Sequence, residues 1–268
     1  MTAFDAPAYW EDRLKRNAGV RGIGHTDLGA RYNLWLYRVR RAVFHRAIYS
    51  LQPDWSGIRV LDVGSGTGFY MRLWKGAGVS AVTGSDLTGI AVSRLRETFP
   101  AQEILRLDIG APFSPLFVEE LGRFQAISAY DVLFHIVDDA RYERAIQNIS
   151  ALLSPGGVFF FSDLFLHGET LRGEHVVFRT LKDVTRILAS AGFEIVHRVP
   201  MFVIMAQPLD TSSVTGRFLW KLLTYPMRKS EVFGFIVGSV LFPIEMALTR
   251  LFRESPTTEI MVCRKVKS

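Results

Sequence analysis

Three glycines at alternate positions, Gly64, Gly66 and Gly68, follow the apolar run Val60-Leu61-Asp62-Val63 and precede Phe69-Tyr70. A turn without side chains at the end of such a run lets the backbone take unusual dihedrals and approach a ligand closely, which implies a nucleotide-like molecule. A dinucleotide fingerprint wants its third glycine where Phe69 stands, with Gly68 one residue early, and this weakens the rival reading of an NAD-dependent oxidoreductase. Charge discriminates further. Asp62, Asp86, Asp108 and Asp131 each end a strand-like segment, and no lysine or arginine directly flanks any of the four. Such a rim repels phosphates and attracts a ligand that carries an ammonium and a sulfonium.

The elements that must position these residues alternate regularly. Strand-like stretches at 59–63, 79–85, 104–107, 126–129, 158–162 and 193–198 are separated by helical ones, the pattern of a doubly wound parallel sheet with ligands at the carboxyl ends of its strands. Residues 259–265 form a further strand, so 201–256 is an insertion before it. Ahead of the sheet, Tyr9 to Ser50 is helical, with Leu34, Trp35, Val39, Ala42 and Val43 at three- and four-residue spacing, and the turn-rich Pro53-Asp54-Trp55-Ser56-Gly57 ends that helical N-terminal cap, 1–56.

Composition narrows the classes. With 268 residues, 49% of them hydrophobic and 22% charged, the chain holds one well-packed α/β domain with extensions rather than two enzymatic domains. The formal charge of +6 is dispersed in small groups such as Arg38, Arg40 and Arg41, which disfavours nucleic acid as a partner. A single cysteine, Cys263, excludes an internal disulfide and fits a reducing, cytoplasmic compartment; no metal-type Cys/His spacing occurs, so no metal is expected. Residues 1–30 carry Asp5, Glu11, Asp12, Arg13, Lys15 and Arg16 without an apolar block, which argues against a signal peptide or anchor there.

In order along the chain, VLDVGSGTGFY, VTGSDLTG, RLDIG, AISAYDVLFHIVDD, LLSPGGVFFFSD and LASAGFEI resemble the successive motifs of class I S-adenosylmethionine-dependent methyltransferases over residues 57–200. The resemblance implies a Rossmann-like sheet of seven strands, the last antiparallel, in a domain spanning 57–268. It implies S-adenosylmethionine as cofactor, with Gly64, Ser65, Gly66 and Gly68 lining its methionine part and Asp62 beneath the amino group. Asp86 would accept from the ribose hydroxyls and Asp108 from the adenine amino group, assisted by the backbone of Ile109, while Leu87 packs on the adenine face. Tyr130 and Asp131 would stand beside the transferring methyl. Each aspartate also has a plainer reading as a turn or cap residue, most evenly balanced for Asp131.

Methyl transfer is an in-line displacement that asks the protein mainly to align the acceptor and exclude water, with a base needed for a hydroxyl or carboxyl acceptor. His135 is the first candidate, with His167 and His175 as alternatives; in Leu133-Phe134-His135-Ile136-Val137 an apolar packing role competes. Tyr9 and Trp10 resemble the opening of a cap folded over the cofactor, and Tyr32, Asn33, Trp35 and Tyr37 are candidates to line the same lid. The insertion has no charged residue from Val232 to Ile244, but Pro243 and Glu245 interrupt a run that would need ~20 apolar residues to span a bilayer. It is therefore a lid over a lipophilic acceptor, a homodimer interface, or a peripheral membrane element with Arg217, Lys221, Arg228, Lys229, Arg250 and Arg253 near headgroups. The acceptor is a small, lipophilic metabolite or lipid methylated on oxygen; nitrogen or carbon methylation and a non-catalytic, cofactor-binding scaffold are the alternatives.

Overall fold

The computed structural model describes residues 4–16 and 28–266. Its centre is a seven-stranded sheet of β1 (Arg59–Val63), β2 (Ala81–Asp86), β3 (Ile104–Arg106), β4 (Phe124–Ala129), β5 (Leu153–Asp163), β8 (Phe193–Pro200) and β9 (Glu259–Lys265), in the order β3-β2-β1-β4-β5-β9-β8. Strands β1 to β5 pair in parallel, and β9 runs antiparallel to both β5 and β8. A two-stranded ribbon of β6 (Leu171–Arg172) and β7 (Val177–Phe178) lies beyond β5.

Alternation within the strands explains the layers. Val60, Val82, Ala126, Val158, Phe160, Ile260 and Val262 face one core, while Leu61, Ile127, Phe159, Phe161, Met261 and Cys263 face the other. Strands apolar on both sides need helices on both sides. Helices α3 (Phe69–Gly76) and α4 (Gly89–Thr98) contribute Met71, Trp74, Val92 and Leu95 to the first layer. Helices α6 (Asp139–Leu152) and α7 (Leu181–Ser190) fill the second with Tyr142, Ile146, Val184 and Leu188, beside the short α5 (Pro115–Leu121). Side-chain caps start these helices where the sequence changes period: Thr88 accepts from the Ala91 amide, Asp138 from that of Arg141 and Thr180 from that of Asp183. Successive strands step outward from β1 on one side and from β4 on the other, so a crevice opens between their carboxyl ends.

The N-terminal region divides in two. Helix α1 (Ala6–Arg16) lies over the carboxyl end of the sheet, tied down by Arg94, whose Nη1 donates to the Leu14 carbonyl at 2.9 Å. Helix α2 (Ala30–Tyr49) belongs to the first core through Tyr32, Leu36, Val39, Val43 and Phe44. Tyr32, expected to line a lid, is instead fully buried, and its hydroxyl donates to the Met205 carbonyl at 2.9 Å. Its face of α2 turns toward the insertion rather than the crevice.

The insertion folds as an irregular segment, 201–213, and a hairpin of α8 (Val214–Met227) and α9 (Glu231–Leu251). Helix α9 packs along α2, with Gly234 against Tyr32 and Gly238 against the Trp35 ring; a Cβ at Gly238 would collide with that ring, so only glycine permits this approach. Two acids fasten the hairpin. Glu231 accepts from the Ala30 and Arg31 amides at 2.9 and 2.8 Å, supplying a cap to α2, whose own N-cap Gly29 has no side chain to offer. Glu245 is fully buried and accepts from the amides of Val203, Ile204 and Met205. Burial pushes the Glu245 carboxyl up, against the three amides that favour its charge.

Candidate active site

A cavity of about 1490 Å³ occupies the crevice. Its floor is the turn after β1. Ser65 donates its amide to the Ser85 carbonyl and its hydroxyl to the Asp62 carbonyl, which binds the turn to β1 and β2. Gly64 has φ +67°, and a Cβ there would run into the Val132 side chain, so this left-handed position is closed to other residues on two counts. Gly68, also left-handed, opens α3 and lies behind the cavity surface formed by Gly64, Ser65 and Gly66.

The four strand-end aspartates differ in their surroundings. Asp62 is buried beneath the turn; its Oδ1 accepts from Ser128 Oγ at 2.6 Å while its Oδ2 has no partner. Burial pushes this carboxyl up to about 7, with the Ser128 and Ser65 hydroxyls pulling it down. Asp86 accepts from the Gly66 amide on Oδ2 and from the Thr88 amide and hydroxyl on Oδ1. Burial raises it too, opposed by these bonds, and Oδ2 retains a lone pair. Asp108 accepts from the Gly110 amide at 3.0 Å and pairs with Arg141 at 2.6 Å. Asp131, at φ +58°, exchanges hydrogen bonds with Ser162 and pairs with Arg40 at 2.9 Å rather than capping a helix.

The rim is therefore less uniformly negative than the strand-end motifs imply. Arg40 and Arg141 come from helices far along the chain, and sequence spacing gave no reason to pair them with these aspartates. Arg40 is held between the Tyr37 and Phe202 rings, its guanidinium carbon 5.3 and 4.9 Å from their centroids. Tyr130 stacks on Tyr70 at 4.0 Å, and both hydroxyls are buried without a partner where these residues line the cavity. Leu87, Ile109 and Tyr37 line it as well.

At the mouth, Tyr9 stacks on His175 at 5.0 Å and Trp10 meets His135 edge-on at 4.6 Å, so helix α1 closes over the two histidines. His135 Nδ1 lies 2.9 Å from the His175 carbonyl, which accepts only, so Nδ1 carries the proton and Nε2 the lone pair. Burial holds His135 down at about 4, and it is neutral at pH 7. His167 stands apart: it is exposed and bonded to Asp210 at 2.6 Å, and it does not line the cavity. Phe134, Phe178, Leu164 and Leu209 make the outer wall apolar. From the insertion only segment 201–213 reaches the cavity, through Ala206, Gln207 and Leu209; no residue of α8 or α9 lines it among those described. Nor, among the described residues, does any group of three metal-ligating side chains converge.

A family model described as a methyltransferase domain matches residues 35–198. The ubiquinone biosynthesis O-methyltransferase of Bordetella bronchiseptica is 36% identical over 112 residues, 41% of this chain and 44% of that protein. The malonyl-[acyl-carrier protein] O-methyltransferase of Pectobacterium atrosepticum is 32% identical over 118 residues, 44% of this chain and 43% of that protein. The matches thus span less than half the length of these relatives. The fold is shared with magnesium protoporphyrin IX methyltransferase from Synechocystis PCC 6803, solved with bound S-adenosylmethionine, at a TM-score of 0.56 and 14% identity over 99% of both chains.

Proposed function

The chain belongs to the class I S-adenosylmethionine-dependent methyltransferase family, and from that premise we propose that it methylates a hydroxyl oxygen of a small, lipophilic acceptor. The observation that carries this reading is the single cavity running from the glycine turn to an apolar, aromatic mouth. Ligand pockets commonly enclose ~300–1,000 Å³, so about 1490 Å³ has room for cofactor and acceptor together.

The residues present fit the cofactor. The unpartnered Asp62 Oδ2 suits its amino group, and the Gly64–Gly66 backbone, bare of side chains, suits its methionine part. Asp86 Oδ2 offers a lone pair to the ribose hydroxyls, Asp108 accepts from the adenine amino group, and Leu87 and Ile109 pack on the base. When bound, S-adenosylmethionine supplies a methyl carbon made electrophilic by its sulfonium. Tyr130 and Asp131, fixed by Tyr70, Ser162 and Arg40, position the reacting end. His135 Nε2 accepts the hydrogen bond of the acceptor hydroxyl, with His175 as second candidate; a group held down at about 4 orients that hydroxyl better than it keeps its proton. Tyr9 and Trp10 shut water out. The oxygen acceptor agrees with the names of the two relatives, both O-methyltransferases. The lone, buried Cys263 is compatible with a reducing cytoplasmic location.

Transfer of a labelled methyl group from S-adenosylmethionine to an apolar cell extract tests the proposal. A labelled, base-stable product one methylene heavier supports it, whereas tight cofactor binding with no labelled product would favour a non-catalytic scaffold. His135→Ala should lower kcat and leave cofactor affinity, read by calorimetry, unchanged.

A further inference from the structure

Apolar side chains are normally hidden, yet the outer face of the α8–α9 hairpin is paved with them. Val214, Phe218, Leu222 and Tyr225 follow one stripe of α8, and Val232, Ile236, Val240 and Leu251 one stripe of α9, all exposed. A contiguous apolar surface of this extent marks an interaction site. Helix α9, at 21 residues, is long and apolar enough to cross a membrane, but its inner face is committed to α2 and to segment 203–205, so only its outer face is available.

The charges identify the occupant. Between residues 211 and 253 the only acids are Glu231 and Glu245, and both point inward to backbone amides. The cations Arg217, Lys221, Arg228, Lys229, Arg250 and Arg253 are all exposed, and none makes an ion pair among the described residues. At the end of α9, Arg250 and Arg253 share a recess with Arg46, His197 and the Arg198–Glu254 pair. A second copy docked on this face would bring these cations against their own counterparts, and the carboxylate at the edge, Glu254, is already paired with Arg198. An anionic lipid surface neutralises them and takes up the apolar stripe.

We infer that the outer face of the α8–α9 hairpin seats the protein on an anionic bilayer surface, lying in the headgroup region without spanning it. Helix α2 carries the consequence inward, because one side of it packs on α9 and the other presents Tyr37 and Arg40 to the cavity. Segment 203–209, gripped by Glu245 at one end, walls the cavity at the other. Docking itself does not depend on the methyl-transfer reading.

Vesicle flotation of the full chain tests it, with phosphatidylglycerol mixed into phosphatidylcholine and with phosphatidylcholine alone. The chain should float with the mixed vesicles, and with phosphatidylcholine alone at least about tenfold more weakly. Phe218→Glu combined with Ile236→Glu should abolish flotation, and Arg228→Ala combined with Lys229→Ala should weaken it about tenfold. Calorimetry with S-adenosylmethionine on the same variants should show unchanged affinity, which separates lost docking from lost folding and from failure of the proposed activity. Absence of flotation with mixed vesicles, or equal flotation of the Phe218/Ile236 variant, would overturn the inference. So would a lipid-free dimer in ultracentrifugation that Ile236→Glu dissociates, since the face would then belong to a second copy.

Discussion

The turn after β1 and the α8–α9 hairpin both combine glycine with apolar neighbours, but they turn this composition to opposite ends. At the turn, Gly64 admits the Val132 side chain and leaves backbone exposed to a cavity, while every apolar neighbour on β1 is buried. On the hairpin, Gly234 and Gly238 admit α2 on one side, and the apolar residues of the other side face outward. Glycine thus brings a ligand close to backbone in the first case and a helix close to a helix in the second. Polar groups follow the same division. Asp62 keeps one buried oxygen unpartnered, whereas Glu245 spends its carboxylate on the protein's own amides.

Removing Glu245 gives the sharpest break in that comparison. Glu245→Ala leaves three buried or half-buried amides without an acceptor and should cost about 3–5 kcal/mol of stability in chemical denaturation. Denaturation midpoints within error of the parent would mean that the carboxylate fastens nothing. Next comes Asp86→Ala, which should weaken cofactor binding by about 2–4 kcal/mol in calorimetry by removing charge-assisted acceptors at the strand end. Unaltered affinity would take the ribose role from this residue.

Asp62 offers a finer contrast through pH. Burial raises its carboxyl from 3.8 to about 7, so in that interval the folded protein holds a proton that the unfolded chain has released. Its contribution therefore makes the ligand-free protein less stable as pH climbs from about 4 to about 7, with no further change above. In Asp62→Asn this component of the slope should vanish from denaturation curves recorded across the interval. Cofactor binding should be weakened by the same substitution, because the ammonium loses its charged acceptor. The smallest effect belongs to the hairpin: Ile236→Glu on its outer stripe should shift stability in lipid-free solution by no more than about 0.5 kcal/mol. A large loss would show that the stripe is packed against something after all.

Much of the sheet and of the cofactor end was legible in the chain because each feature there is local. Strand period, the glycine turn and the aspartate at each strand's end lie within a few residues of one another, and the structure gathers Gly64, Ser65, Gly66, Asp86, Leu87, Asp108, Ile109, Tyr130 and Asp131 at one cavity, with Asp62 and Gly68 directly behind it. Tyr9, Trp10 and His135 likewise come together at its mouth. Tyr32 and His167 did not follow. A tyrosine on an amphipathic helix can face either way, and four-residue spacing does not say which side meets the core. His167 is drawn off by Asp210, a partner 43 residues away that no local pattern connects to it.

By itself, the order of residues determined the Rossmann-like alternation, the glycine turn after β1 and the acidic strand ends, since short-range sterics and period-2 or period-3.6 burial suffice for each. Tertiary structure alone decided that Arg40 neutralises Asp131, that Arg141 meets Asp108, that Glu231 and Glu245 turn inward, and that the hairpin shows its apolar face to the outside. These are choices between partners distant in sequence, made by which faces the packed sheet and α2 leave free, and burial makes them binding because a charge removed from water must find its counterpart wherever the fold has put it.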